Sequence, residues 1–392
     1  MKSLFAITTI VALAAGACNK DISVKSQSDI DTINACKKYE GNVLLDGDNG
    51  LSGLGSLSLD TLQKIDGDLT VQNMYGLETV SLASLSSVNA FRFLNNTKLY
   101  KIAAPSLYDV KDFQVIVNPN LKTLQYKNVT DIDNFQLIDT YVDVLGKFIA
   151  AEPKNIEILS NSQLKQLDFS SVKKTSGYIN IANNARDANV TFSALTEVAG
   201  NVSFGNVGSL DISKLSAVGY DFSLYTNTFK NISVPLEQAK KSITINANNQ
   251  LVSLQFPELT SIGSSLNIIN NTKFRSIDSS TFPQLKTIDA GSFYVGNIDN
   301  ITFPKLTKIK GVFNVTGSGD LDCSSFKKSF GSKGDVKCNV VRDAEDDDGS
   351  SSSKSKGSSG SKNSSKDSSG ASRSTTVAAV LSGAAFVVAA YL

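Results

Sequence analysis

The 392-residue chain contains no histidine and no tryptophan. Without imidazole, Ser-His-Asp and Cys-His catalysis are excluded, as is any zinc site that needs a histidine ligand. Hydrolysis by paired carboxylates stays open. Charge of one sign is also lacking, because 38 Lys and Arg face 37 Asp and Glu for a net charge of +1. Nothing therefore draws nucleic acid or an anionic membrane surface electrostatically. Cysteine is scarce, with four residues at 18, 36, 323 and 338. In an oxidising compartment they form two disulfides, for which sequence alone allows three connectivities. Position favours Cys18–Cys36 and Cys323–Cys338, each closing an end where a stacked fold has no neighbour.

The termini argue for that compartment. Lys2 followed by the apolar run Leu4 to Ala15 and the small residues Ala15-Gly16-Ala17 reads as a secretory signal peptide over residues 1–17. At the other end Val377 to Leu392 is an uncharged, mostly apolar run that stops at the last residue. As a helix it would span about 24 Å at ~1.5 Å per residue, short of a ~30 Å hydrocarbon core, and no basic flank follows it. With Ser369-Gly370-Ala371-Ser372 just upstream, it reads as a glycosylphosphatidylinositol (GPI) anchor signal over residues 371–392. Gly370 is the preferred attachment residue, with Ser369 and Asn363 as alternatives. A plain C-terminal membrane helix is the rival for the tail. A lipidated bacterial surface protein is the rival for the start, since Cys18 would be the first mature residue.

Between these signals lies a repeat. Two apolar residues flanking one polar residue recur from Leu69/Val71 through Phe91/Phe93, Phe113/Val115, Phe135/Leu137 and onward to Phe313/Val315, mostly 21 to 23 residues apart. Twelve coils follow from this series, and Val43/Leu45 adds an irregular one after Cys36. Three residues beyond the second apolar position an asparagine recurs at 96, 118, 161, 184, 227, 248 and 271. Such a side-chain amide satisfies backbone at a buried turn, so its role is structural. Segments such as Phe256-Pro257-Glu258-Leu259-Thr260-Ser261-Ile262 are too short and too β-branched for helix, and extended or 3₁₀ structure is expected. The product is an all-β, right-handed, leucine-rich-repeat-like β-solenoid of about 12–13 coils over residues 18–341, with disulfide-capped ends. Residues 342–370, rich in Ser, Lys and Asp and nearly free of apolar side chains, read as a disordered stalk.

The Phe-Pro-x-Leu-x-x-Ile and Leu-x-Ile-x-Asn-Asn repeats between a secretion signal and a GPI signal resemble the receptor-L-domain-type, GPI-anchored fungal proteins of the "extracellular mutant" and sporulation-specific cell-wall families. The resemblance implies a role in wall organisation and integrity. It supplies no catalytic residues and no cofactor.

Sequons stand at Asn95, Asn128, Asn189, Asn201, Asn231, Asn270, Asn300, Asn314 and Asn363. Asn95 and Asn270 follow inward positions closely, so partial burial is expected there, and Asn128, Asn189, Asn231 and Asn300 are the better glycan sites. The residue between each inward pair is polar in every coil, from Thr70, Arg92, Gln114, Gln136 and Glu157 on to Asn314. A one-residue slip would bury that column, so it supports the register. It also offers a single carboxylate, Glu157, where a glycoside-cleaving site needs two. The next outward column holds Leu94, Ile116, Ile138 and Leu159 on successive strands, a stripe about 15 Å long at ~4.8 Å per coil. Either the segment Thr140 to Lys154, with Leu145, Phe148 and Ile149, covers it, or it binds a partner.

The leading expectation is a non-enzymatic, GPI-anchored surface glycoprotein. It would be held on the outer leaflet of the plasma membrane or in the wall and would contact wall polysaccharide or wall proteins through its solenoid. A wall-polysaccharide-remodelling enzyme and an adhesion or receptor-type ectodomain are the alternatives.

Overall fold

A computed structural model describes residues 18–340, apart from positions 52, 147, 149, 290–292 and 318–319. The signal peptide, the stalk and the attachment positions Asn363, Ser369 and Gly370 lie outside the described residues.

Every inward pair of the repeat sits on a strand of one parallel sheet. The sheet runs from Ile22–Val24 and Val43–Asp46 through Lys64–Gln72, Ser87–Leu94, Asp109–Asn118 and Asn134–Thr140 to Val312–Gly317 and Asp335–Val340. Fifteen strands follow one another along this path, giving fourteen intervening turns of a β-solenoid. The register is that of the repeat: Phe91 pairs with Phe113, Phe113 with Phe135, and Phe135 with Ile156. The segments between these strands carry short parallel ladders of their own. The Ser261–Ile262 end of the Phe-Pro repeat, for instance, pairs with Thr287–Ile288, which pairs with Lys308–Ile309.

Each coil buries its apolar residues only by stacking. Phe91, Phe93, Phe113, Phe135, Leu137, Ile156 and Ile158 are all fully buried, and each such side chain contributes about 1.5–3 kcal/mol. Phenylalanine also forms a continuous spine. Phe91, Phe113 and Phe135 stack at 5.2 and 5.1 Å between centroids, Phe148 bridges Phe135 to Phe169 at 5.4 and 5.1 Å, and Phe169 stacks on Phe192 at 5.0 Å. Such ring pairs add to the burial term.

The bend after each main strand is made by two adjacent residues. One adopts left-handed backbone, with φ between 53° and 60° at Asn73, Asn95, Val117, Asp139, Ser160, Asn183, Asn206, Thr226, Ala247 and Asn270. Asparagine and aspartate tolerate this region, whereas Val117 and Thr226 bear a steric cost there. The next residue is the recurring asparagine, replaced by Met74, Thr140 and Val207 in three coils. Asn96, Asn118, Asn161, Asn227, Asn248 and Asn271 are buried, and each Nδ2 donates to a carbonyl of the preceding coil, as from Asn118 to Phe93 O at 2.8 Å. Each Oδ1 accepts a backbone N–H from the coil before, as Asn118 Oδ1 does from Asn96 N at 3.2 Å. At the coil after Asn118, Thr140 stands in for the asparagine, donating both its N–H at 3.2 Å and its Oγ1–H at 2.6 Å to Asn161 Oδ1.

Both ends are closed by elements the repeat does not encode. Helix α1 (Gln27–Asn34) starts with a capping box between Ser26 and Asp29 and buries Ile30 and Ile33. Helix α2 (Cys323–Phe330) is capped by Asp322, and its Phe326 and Phe330 pack edge-on against Phe313 at 4.8 and 5.4 Å. A disulfide joins Cys18 to Cys36 and another joins Cys323 to Cys338.

Candidate functional site

The outward face of the main sheet is built by strand alternation: inward pairs fill the core, and the residue between them points away from it. On the first coils this face is charged and ordered. Arg92 donates Nη1–H to Asp68 at 2.6 Å and Nη2–H to Asp112 at 2.6 Å, bridging three successive strands, while Gln114 Nε2 donates to Asp112 at 3.1 Å. Burial works against the guanidinium's charge, but the hydrogen bonds to Asp112 and Asp68 outweigh it and raise the pKa. The two carboxylates that converge here are thus tied to one cation.

Two coils on, Glu157 is the centre of a second network. Its carboxylate accepts from Gln136 Nε2 at 2.8 Å, from Tyr178 Oη at 3.2 Å and from Asn180 Nδ2 at 3.2 Å. Burial first, and the Glu157 charge second, push the Tyr178 phenol up to about 12, so it remains a neutral donor across physiological pH. Oδ1 of Asn180 has no partner among the described residues.

Beside these polar groups runs the aliphatic stripe. Leu94 pairs with Ile116, Ile116 with Ile138, and Ile138 with Leu159, and all four side chains are half-buried. In the segment Thr140 to Lys154 the described Val142 and Phe148 lie in the core, Leu145 packs against it, and Phe148 fills the spine between Phe135 and Phe169. Ile149 lies outside the described residues. Beyond Leu159 the stripe ends at buried Ala182 and then at Gly205, where an added Cβ would stand 2.2 Å from the Tyr225 ring. The Tyr225 ring lies over this backbone, and a larger residue there would have to displace it.

The sequons fall elsewhere on the coil. Asn189, Asn231 and Asn300 begin or lie in short strands of the other ladders, and Asn128 and Asn201 are exposed at coil corners. Asn270 is exposed, against the expectation of partial burial. Asn95 is half-buried, with Nδ2 donating to Asn73 Oδ1 at 3.0 Å. Asn314 is half-buried within the main sheet.

Among the described residues no group of three or more His, Cys, Asp or Glu side chains is arranged to hold a metal ion, and no helix is long and apolar enough to cross a membrane.

No protein-family model and no solved structure matches this chain. It is 25% identical over 347 residues, 87% of its own length and 85% of the relative's, to Protein ecm33 of Aspergillus fumigatus. It is 26% identical over 330 residues, 83% of either chain, to a cell surface GPI-anchored protein of Arthroderma benhamiae. Sporulation-specific protein 2 of Saccharomyces cerevisiae is 25% identical over 294 residues, which cover 74% of this chain and 57% of that protein. The homologues of this β-solenoid are therefore fungal ecm33-type, GPI-anchored cell-surface and sporulation-specific proteins, at modest identity over most of its length.

Proposed function

We propose that the protein is a GPI-anchored cell-surface glycoprotein that contributes to cell-wall organisation by binding, without catalysis, through the outward face of its main sheet. The observation that carries this reading is the likeness to wall and GPI-anchored surface proteins over most of the chain. The face itself supports a binding role. Four half-buried aliphatics in register lie beside polar groups already fixed by hydrogen bonds, which suits a protein partner with an apolar edge. The stripe column carries no sequon asparagine, and Asn95, next to Leu94, is the one sequon that adjoins its four residues. A non-catalytic role is supported by the state of the acids on this face, where Asp68 and Asp112 are neutralised by Arg92 and Glu157 is held by three donors.

The double substitution Ile116→Asp with Ile138→Asp tests the face. Both side chains already reach solvent, so the new carboxylates stay hydrated and the protein should arrive at the surface at its usual level. Cross-linking to wall partners should fall by about tenfold, the scale expected when the centre of a contact patch is charged. Normal surface level together with normal cross-linking and normal wall stress resistance would refute the role of the stripe. In the same preparations, mass spectrometry of the mature C-terminus checks the anchor at Gly370, Ser369 or Asn363. A surface form that retains residues 377–392 would sink it.

A further inference from the structure

Away from the stripe, past the left-handed bend, a shallow groove of about 550 Å³ is lined by Glu78, Lys98, Tyr100, Asn120 and Lys122. Its residues come from three successive coils and are held in line by backbone bonds: Tyr100 N donates to Glu78 O at 2.9 Å and Lys122 N to Tyr100 O at 3.0 Å. In the next coil Tyr141 falls one place out of this register, its N–H donating to Leu121 O at 3.0 Å, and its ring lies beside the groove with the Lys122 ammonium 5.5 Å from its centre. The row therefore reads acid, aromatic, base at one residue per coil, with a second aromatic flanking the base. Both tyrosines stand in solvent, Tyr100 at 46% and Tyr141 at 40% exposure. The same row elsewhere holds Lys165, Asn189, Lys230, Val252, Arg275 and Asp299, with no aromatic.

Resting on the wall-association reading, we infer that this groove is a saccharide-binding subsite that takes an extended chain of neutral pyranose rings. An exposed tyrosine offers a flat apolar face to the C–H face of a pyranose while its hydroxyl stays wet. Around Tyr100 the groove sets donors only (Lys98 and Lys122), an acceptor only (Glu78) and an amide that does both (Asn120), the mixture that hydroxyl groups need. The other ligand classes fit less well. Glu78 offsets one of the two lysines, so the lining keeps little net charge to select an anion, and no aliphatic side chain lines the groove to hold an apolar peptide. The three coils that line the groove span about 10 Å at ~4.8 Å per coil, room for a chain of rings rather than a single one.

The test titrates the intact glycosylated surface protein with three soluble probes: oligomers of β-linked glucose, of N-acetylglucosamine and of α-linked mannose. At least one should bind saturably by calorimetry. Tyr100→Ala should weaken that binding by about tenfold, as truncation of an aromatic anchor does, whereas Tyr100→Phe should stay within about twofold. Lys98→Ala, at a second exposed position, should also weaken it. Tyr108→Ala removes a tyrosine of similar exposure, 43%, outside the groove and should leave binding unchanged. The Ile116→Asp and Ile138→Asp pair should bind the oligomer normally, so loss of the stripe's function and loss of the groove's function are separate results. Saturable binding of none of the three probes, or binding by Tyr100→Ala equal to that of the unaltered protein, overturns the inference.

Discussion

Replacing Asn248 by alanine should destabilise the middle of the solenoid by about 3–5 kcal/mol, enough to remove most of the protein from the cell surface. Asn248 Nδ2 donates to Leu224 O at 3.0 Å and to Asn271 Oδ1 at 3.1 Å, and Asn248 Oδ1 accepts from Asn227 N at 2.9 Å. Alanine leaves a carbonyl and an N–H of the preceding coil, those of Leu224 and Asn227, without these bonds inside a buried bend, and each orphan costs about 1–3 kcal/mol. The damage should begin locally, because coils contact only their neighbours. Hydrogen exchange is the discriminating measurement: the Asn227 amide should lose protection first, while coils beside α1 keep theirs. Asn249→Ala, one residue on and exposed, should change stability by less than about 0.5 kcal/mol. Equal effects of the two substitutions would show that the buried amides do not hold the bends.

Phe113→Ala should cost about 3–5 kcal/mol. Its ring is fully buried and touches Phe91 at 5.2 Å, Phe135 at 5.1 Å and Tyr126 at 5.4 Å, so truncation opens a cavity in the spine and removes three ring contacts together. The lining is fixed by strands on either side and has little freedom to collapse. Phe113→Leu, which keeps most of the volume, should lose clearly less. Denaturant melts of the two variants check this, and a loss for Phe113→Ala no greater than that for Phe113→Leu would show that the stack contributes nothing beyond volume.

The two substitutions divide what is readable from what is not. The spine was legible because inward phenylalanines recur at the coil period, and period-2 alternation assigned Phe91, Phe113 and Phe135 to the core without coordinates. The asparagine column was legible in the same way, although its bonding scheme was not. The left-handed column one residue before it was missed. Asparagine at 73, 95, 183, 206 and 270 was a signal for it, but Val117, Thr226 and Ala247 hide the pattern, because stacking imposes the bend on residues that disfavour it. The place of Phe148 was not legible for a related reason. It falls in an irregular stretch where the repeat has no phase, and only the gap in the spine between Phe135 and Phe169 shows where its ring goes. Helices α1 and α2 were missed because they lie outside the repeat, although Ser26 with Asp29, and Asp322, are ordinary cap signals.

By itself the sequence determined the all-β stacked class, the strand register and the inward and outward columns. These follow from periodicity, since a repeating pattern of apolar and polar residues has one packing that buries the first and wets the second. Tertiary structure decided everything that depends on which coil meets which loop. It put the Arg92 guanidinium between two carboxylates, gathered three donors on Glu157, sent Phe148 inward into the spine, and aligned Glu78, Tyr100 and Lys122 in one groove. Residues 22 positions apart become neighbours only when the coils close, and contacts between side chains on adjacent coils are set by that closure rather than by local preference.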